Sequence, residues 1–533
     1  MSETKVMISS VETGRAYLAR VPMENPVEAG QQLLDLLEAL IASPCELSVF
    51  VPILELMRAP LGQVEEAIAH RYQNKSVPLA DEEEGWFGKS LFAWEHMAEA
   101  YGQCIKVIAS YKDNPEHRPL AAMLLQRQLY YIGKVIFEHY RARRDLPEGL
   151  WVKFHAAYET AERWGLANTP VEDSLENSLQ STHCTAAYVS MLLIEMASPY
   201  SNTVRDLNLT RRLALMWGNL VSVLPLNDDL EVPPYIVEFG RDMALHSPGQ
   251  NDGPANDVRY LDTMRIGPQI HHMISQLKQR MSPAELGLGQ EISAHCIRLL
   301  DRLSRPWQQQ ASPRRFRRFN SHGKARIAQG FPAMHHYISG GEFFQPDAEA
   351  VYSRGDFDRL FTFSERVDRG SGSGMAIEPH PDFPIDDWDV INHSANGFRL
   401  SRSCAGQRIT HGALLAICPH DGENFLLAKV TWLMQEREGG LVVGLSILPG
   451  IPDAVAVRYM GVGMENRANY VRAFLLPAVP AIHEEASIIL PSGMYQGGRV
   501  IEIHDGEAQT VEMRMRDIVM HGNEFDRIVF DSV

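Results

Sequence analysis

Apolar residues recur every three or four positions through most of residues 25–303, which is the spacing of a buried helix face. Asn25 and Pro26 suit the N-cap and the first turn of a helix, and Leu33, Leu37 and Leu40 then fall on one side of it. The same periodicity predicts further helices at 47–57, 62–72, 89–111, 119–144, 150–164, 175–196 and 204–223. The pattern indicates a large all-α N-terminal domain.

The pattern changes near residue 231. Residues 234–239 alternate between apolar and polar as a strand does, and residues 258–262 could pair with them, so we expect a β-hairpin near 234–263. Helical periodicity resumes at 268–281 and continues to Leu303, which closes a predicted domain at 1–303. Residues 304–313 are polar and bracketed by prolines, which is typical of a linker.

Short alternating segments separated by glycine turns dominate the rest of the chain. Residues 414–417, 428–432 and 443–448 read as antiparallel strands. Residues 470–476, 486–490, 499–503, 510–515 and 525–530 read as further strands, which predicts an additional β-rich unit at 456–533.

A formal net charge of −17 disfavours nucleic acid and anionic membranes as general partners, because most of the surface would repel them. The balance reverses locally, since residues 302–326 hold eight basic side chains and no acidic one. This run could be a solvated linker, a contact for single-stranded nucleic acid, or an anion-binding segment. We favour the third interpretation, because arginine forks bind phosphate oxygens and guanine edges in pairs.

Two sequence motifs support the interpretation that this segment binds an anion. Residues 314–318 read RRFRR, in which the outer arginines are spaced RxxxR, and residues 392–397 read NHSANG, a (D/N)xSxxG turn. Together with the strands that follow, they resemble the PilZ family of small antiparallel β-barrels. The resemblance implies a PilZ-like barrel at 314–455 that binds cyclic di-GMP. The side chains it implicates are Arg314, Arg315, Arg318, Asn392, Ser394 and Gly397.

The distance between the motifs departs from the family pattern. Residues 319–391 lie between them, which is more than the family normally places there, so we expect an inserted segment at 331–385. Its glycine-rich part at 368–374 is typical of a flexible connector. The insertion could complete the binding pocket or cover it, and the sequence leaves both open.

Signatures of catalysis or of a metal site do not accompany these motifs. The six cysteines form no CxxC pair, and the adjacent histidines at 271–272 and 335–336 would diverge on a helix. No Walker loop, no GxGxxG after a strand and no GxSxG elbow occurs. We therefore expect no enzyme, no metal and no cofactor.

The chain start lacks the pattern of a signal peptide. The most apolar window, 184–197, is short and contains Glu195, so it reads as a core helix and not as a membrane span. We expect a cytoplasmic protein of the multidomain α + β class: a large all-α N-terminal domain, a PilZ-like antiparallel β-barrel with an insertion, and an additional C-terminal β unit.

The expected function follows from the resemblance. It implies a cyclic di-GMP receptor that couples nucleotide binding to protein partners of motility, pilus, biofilm or exopolysaccharide systems, and we expect the helical domain to bind the protein partner. The alternative is a degenerate PilZ-like scaffold or adaptor that joins proteins without binding nucleotide.

Overall fold

A computed structural model describes residues 10–533 except 174, 176–180, 227–232, 250–256, 311–316, 344, 346–382, 461–468 and 505–509. The chain divides into two compact units. The first contains residues 1–315 and 433–439, and the second contains residues 316–432 and 440–533. Most of the predicted insertion, including 368–374, lies outside the described residues.

The first unit is built mainly of helices around one continuous apolar core. Its helices are α1 (Val11–Leu18), α2 (Pro26–Ala42), α3 (Leu47–Ala69), α4 (Asp81–Ile108), α5 (Arg118–Arg141), α6 (Leu150–Arg163), α7 (Cys184–Met196), α8 (Val204–Trp217), α9 (Ile266–Lys278) and α10 (Ser293–Trp307).

Capping chemistry explains where α2 and α4 begin. The Asn25 side chain accepts a hydrogen bond from the backbone N–H of Glu28, as the sequence predicted. Helix α4 starts at Asp81 and not at residue 89. The acidic residues 81–84 form its first turn, where negative charge interacts favourably with the helix dipole. The Glu83 carboxylate there accepts from the backbone N–H of Ala80 at 2.8 Å.

Two helix predictions were wrong. Helix α3 is continuous over the predicted break, with Pro52 and Pro60 inside it, because its apolar side chains on both sides of Pro60 are buried in the same core. Helix α7 begins at Cys184 and not at residue 175. Before it, strands β1 (Val171–Glu172) and β2 (Ser181–Thr182) pair with each other.

A small sheet interrupts the helices. Strands β3 (Ser222–Pro225), β4 (Ile236–Glu238) and β5 (Val258–Asp262) form it in the order β3-β5-β4. The β4–β5 pairing is the hairpin that the sequence predicted, and β3 is an additional strand that begins at the end of the segment predicted as helix to residue 223. Helix α10 continues to Trp307, whose indole N–H donates to the Leu193 carbonyl at 2.7 Å, so this helix enters the segment predicted as a linker.

The first unit also includes the short segment 433–439, which is distant in sequence. The Gln435 backbone N–H donates to the Arg143 carbonyl, and the Asp145 N–H donates to the Gln435 carbonyl, both at 2.8 Å. The Arg437 guanidinium lies 3.3 Å from the Asp145 carboxylate. These bonds attach the segment to the loop after α5.

The second unit contains two closed antiparallel barrels. The first has the order β10-β11-β8-β7-β6-β9, and the second has the order β12-β13-β14-β17-β16-β15. The strands are β6 (Phe319–Gln329), β7 (Asp386–Ser394), β8 (Gly397–Arg402), β9 (Leu414–Pro419), β10 (Leu426–Gln435), β11 (Leu441–Ile447), β12 (Asp453–Tyr459), β13 (Val471–Leu476), β14 (Ser487–Pro491), β15 (Val500–His504), β16 (Thr510–His521) and β17 (Phe525–Ser532). This architecture confirms the predicted fold class.

A shared apolar cluster joins the two barrels within the second unit. Helix α11 (Phe331–Ser339) contributes buried Ala333 and Met334, and the second barrel contributes buried Phe474 and Phe525. The Phe331 ring lies 5.4 Å from the Phe474 ring. The start of the insertion is therefore part of the packing between the barrels.

Within the described part of the chain, α3 is the one helix long and apolar enough to cross a membrane by length and composition. Its side chains Phe50, Ile53, Leu54 and Met57 are buried in the core of the first unit. The position of α3 in this core therefore accounts for its apolar composition.

Candidate functional site

The strand register of the first barrel brings the end of the basic run next to the turn at 392–397, across the insertion. In the β6–β7 pair, Phe319 lies opposite His393 and Asn320 lies opposite Asn392. Arg318 immediately precedes Phe319, so the same register places it beside Ser394. The residues between the motifs therefore do not separate the end of the basic run from the turn.

A β-bulge decides which way the second motif faces. Along β7, Val390 lies opposite Leu400, but Asn392 lies opposite Arg399, which leaves Ile391 as the extra residue. Val390 and Leu400 are buried. The extra residue changes the alternation, so Asn392 and Ser394 share the face of Arg399 and not the interior face of Leu400.

The serine and the glycine of the motif shape the turn itself. The Ser394 hydroxyl donates to the Asn396 side-chain oxygen at 3.1 Å. The Ile447 backbone N–H donates to the Asn396 carbonyl at 3.0 Å. A Cβ on Gly397 would lie 2.2 Å from the Leu445 carbonyl oxygen, so only glycine permits β11 to approach this closely. The local structure therefore requires both residues whether or not a ligand binds.

Arg318 and Asn392 differ from Ser394 and Gly397, because the structure of the turn does not account for their side chains. Within the described part of the chain, the exposed Arg318 guanidinium forms no ion pair and the Asn392 amide makes no side-chain hydrogen bond. Their neighbour Arg317 lies 5.5 Å from the ring of the half-exposed Phe319. Arg314 and Arg315 lie outside the described residues. The structure thus brings together Arg318, Asn392, Ser394 and Gly397.

Two further residues belong to the same face, and the sequence reasoning missed them as site residues. Arg399 lies opposite Asn392 on one side and opposite Gly444 on the other. A Cβ on Gly444 would meet the Trp432 indole, so this indole covers the strand where the glycine leaves room. The Arg399 guanidinium lies 5.5 Å from the Trp432 ring. The sequence contained one signal of this arrangement, because Gly444 lies inside a predicted strand and a glycine there often marks the close approach of another group.

Arg399 also has spare hydrogen-bonding capacity. Its Nε is buried and has no hydrogen-bond partner among the described residues. Arg402, on the interior side of the same strand, is bound through its two terminal nitrogens: they donate to the carbonyls of Ala405 and Gln407, and one of them lies 3.3 Å from the Asp386 carboxylate. Its Nε, like that of Arg399, is buried without a hydrogen-bond partner among the described residues. Arg402 therefore holds a loop in place, whereas the terminal nitrogens of Arg399 make no such bond to another described residue.

No group of three or more His, Cys, Asp or Glu side chains among the described residues could hold a metal ion. His335, one member of a histidine pair, is buried in α11 against Phe343 and Phe474. Burial lowers its pKa to about 4, so it is neutral near pH 7. It packs between the barrels and lies in no metal cluster.

The arrangement suits a ligand that carries both phosphates and flat bases. Guanidinium groups bind phosphate oxygens through charge-assisted hydrogen bonds, and an indole or a guanidinium plane stacks on a base. An asparagine amide can donate to and accept from the polar edge of the same base. This face offers each of these groups within one patch of the barrel.

Comparisons with known proteins agree with this reading. Models of the cyclic-di-GMP receptor FimW match its N-terminal domain at residues 12–227, its middle PilZ domain at 244–356 and its C-terminal β-barrel domain at 455–533. The cyclic-di-GMP receptor FimW of Pseudomonas aeruginosa is 24% identical over 539 aligned residues, which cover 93% of this chain and 86% of that protein.

The PilZ match contains the basic run and β6, but it ends before β7 and the turn at 392–397. The register of β6 against β7 supplies that connection, since it pairs the strand that follows the basic run with the strand that leads into the turn. The domain models follow one another along the chain in the order of one receptor type. The chain belongs to the PilZ-domain family of cyclic-di-GMP receptors.

Proposed function

We propose that this protein binds cyclic di-GMP on the outer face of its first barrel. The binding residues would be Arg314, Arg315, Arg318, Asn392, Ser394 and Gly397, joined by Arg399 and Trp432. The proposal rests chiefly on the β6–β7–β8 register, which sets Arg318 beside the turn and Asn392 beside Arg399 on one face.

The roles follow from the chemistry of the ligand, which has two phosphodiesters and two guanines. Arg318, with Arg314 and Arg315, would bind phosphate oxygens or the guanine O6 and N7 edge. Trp432 would stack on a base, and Asn392 would bind the polar edge of that base. Ser394 and Gly397 would act mainly by holding the turn that presents Asn392.

Calorimetric titration of the full chain with cyclic di-GMP tests the site. Arg318→Ala and Arg399→Ala should each weaken binding by about 1.5–3 kcal/mol, which is the scale of a hydrogen bond to a charged group. Arg514→Ala is the matched control, because Arg514 is an exposed arginine on β16 of the second barrel. Unchanged affinity in both site variants, with tight binding by the native chain, would refute the site and leave the receptor function standing.

The alternative function is a scaffold that keeps the barrel and lacks nucleotide binding. One observation favours it: Ser394 and Gly397 are already explained by the structure of the turn. A folded protein that releases no heat with cyclic di-GMP at high concentration would establish this alternative.

We further propose that the receptor works in the cytoplasm without catalysis of its own. Nucleotide binding would change how the helical domain presents itself to protein partners of motility, pilus, biofilm or exopolysaccharide systems. Affinity capture with the intact chain, with and without cyclic di-GMP, should show partners whose recovery depends on the nucleotide and is lost in Arg318→Ala.

A further inference from the structure

Asn320 is a residue of the barrel face that neither sequence motif contains. It is the second residue of β6, two positions after Arg318, and its side chain is exposed. The strand register sets it directly opposite Asn392 of the (D/N)xSxxG motif. Directly opposed residues of antiparallel strands project from the same face, with Cβ atoms about 5 Å apart. Asn320 therefore lies on the face that carries the proposed nucleotide site.

The fold does not use these two opposed amides. Among the described residues, neither the Asn320 nor the Asn392 side chain makes a hydrogen bond. Asn396 of the same turn differs from them, because its side chain accepts from the Ser394 hydroxyl. Asparagine is also depleted in strands, so an opposed pair contributes little to the stability of the sheet. Each amide has one carbonyl oxygen and one NH2 group, so the pair offers two acceptors and two donors to a ligand.

The register extends this pair into a row of three polar side chains across three strands. Arg399 on β8 lies opposite Asn392 on β7, and Asn392 lies opposite Asn320 on β6. Neighbouring strands are about 4.8 Å apart, so the row spans about 10 Å at the backbone. The long Arg399 side chain can shorten this distance where a ligand binds. From β8 to β6, the row has the order guanidinium, amide, amide.

This order matches the Watson–Crick edge of guanine. That edge carries the O6 acceptor, the N1–H donor and the 2-amino donor, in this sequence. The Arg399 guanidinium has only donors and suits O6, whereas the carbonyl oxygens of Asn392 and Asn320 suit the N1–H and the 2-amino group. Adenine has an amino donor in place of O6 and no 2-amino group. Adenine would therefore lose the first and the third of these contacts.

We propose that Asn320 determines base specificity in this receptor, through a side-chain carbonyl that accepts from the 2-amino group of one guanine. Asn392 accepts from the N1–H of the same guanine, and Arg399 donates to its O6. The inference rests on the proposed nucleotide site and adds to it a residue outside both motifs. A purely structural role for Asn320 would leave ligand selectivity unchanged, whereas this contact makes selectivity depend on it.

Cyclic di-IMP is the probe that tests this contact. It keeps the phosphates and the O6 and N1–H of each base of cyclic di-GMP, and it lacks only the 2-amino groups. Calorimetric titration of the full chain with each ligand gives the ratio of the two affinities. We expect the native chain to bind cyclic di-GMP at least about threefold more tightly than cyclic di-IMP, which is the scale of one neutral hydrogen bond.

Asn320→Ala should reduce this preference. It should weaken cyclic di-GMP binding about three- to tenfold and leave the affinity for cyclic di-IMP near its native value, because the lost acceptor has no partner in that ligand. Asn320→Asp keeps an acceptor at this position and should preserve the preference. Asn424→Ala is the matched control, because Asn424 is an exposed asparagine between β9 and β10 of the same barrel. It should leave both affinities unchanged.

Three results would overturn the inference: the native chain binds both ligands equally, Asn320→Ala weakens both ligands by the same factor, or Asn320→Ala binds cyclic di-GMP as tightly as the native chain. If Arg318→Ala and Arg399→Ala weaken binding while Asn320→Ala does not, the proposed site stands without Asn320. If the native chain binds neither ligand, the proposed function fails together with this inference.

Discussion

Gly397 illustrates how one residue can serve a binding motif through the backbone alone. Replacing it by alanine would put a Cβ 2.2 Å from the Leu445 carbonyl oxygen, so β8 and β11 must separate locally. We expect Gly397→Ala to lower the unfolding free energy of the second unit by about 1–3 kcal/mol, as overpacking does, and to weaken nucleotide binding as a consequence. Thermal unfolding with calorimetry of binding measures both.

Gly323→Ala in β6 is the control for this prediction, because nothing lies within 4 Å of a Cβ there. If Gly397→Ala lost affinity while its unfolding temperature stayed native, the glycine would act at the ligand and not through the strand pair.

Glu65 makes the stability of the first unit depend on pH. Burial raises its folded pKa to about 7 from the usual 4.5, so its contribution is complete below about pH 4.5 and is lost as the pH rises through about 7. The loss amounts to about 3 kcal/mol. Glu65→Gln cannot ionise, so we expect it to stabilise the unit at about pH 8 and to change little at about pH 5.

Glu66→Gln should show the opposite sign. The pKa of Glu66 is lowered, because Arg141 and its neighbours outweigh burial, so this carboxylate stabilises the fold above its unfolded pKa. Urea unfolding at the two pH values, followed by circular dichroism, separates these cases. Parallel behaviour of the two variants would contradict the electrostatic assignment.

At the level of strands, local patterns in the sequence identify most residues of the proposed site but not how those residues are arranged. RxxxR and (D/N)xSxxG are local patterns and are visible without a structure. Arg399 and Trp432 join them only through cross-strand pairing, and the direction of Asn392 depends on the bulge at Ile391. Strict alternation along the strand would have turned Asn392 inward, because a two-residue periodicity in the sequence does not reveal the extra residue of a β-bulge.

The helices show the same division. Amphipathic spacing and capping residues predicted α2, α5 and α6 to within a few residues. The same pattern wrongly divided α3 around Pro60 and began α7 too early. Local propensity favoured a break in α3 and an earlier start for α7. Burial of side chains in the shared core determined the actual helix bounds instead. Strand β12 was missed, since its alanines and valines do not alternate between apolar and polar.

The β10–β11 pair positions Trp432, on which we predict that a base of cyclic di-GMP stacks. Trp432 lies over Gly444 and beside Arg399, so its indole is the one large aromatic surface of the described site. Trp432→Ala should lower the affinity for cyclic di-GMP by about 1–3 kcal/mol, the scale of base stacking on an aromatic side chain. Trp432→Phe should recover most of it, whereas equal loss in both would assign Trp432 to barrel packing.

On the scale of the whole chain, an acidic protein concentrates positive charge at the end of its first barrel. The net charge is −17, yet this end presents Arg317, Arg318 and Arg399. Diffuse negative charge suppresses binding of nucleic acid and anionic membranes. A small anion that reaches the end of the barrel still meets locally positive charge.

The two barrels share a core, so the second unit should lose stability as a whole when that core is damaged. Phe474 is fully buried in the second barrel and packs against Phe331 and His335 of α11. Phe474→Ala should cost about 3–5 kcal/mol and lower the unfolding temperature of the second unit, while the transition of the helical unit, which has its own core, stays in place. Ile518→Ala on β16 removes a partly exposed side chain and should have little effect. If Phe474→Ala shifted only the second barrel and left cyclic di-GMP binding and the first barrel intact, the barrels would be independent folding units despite the shared cluster.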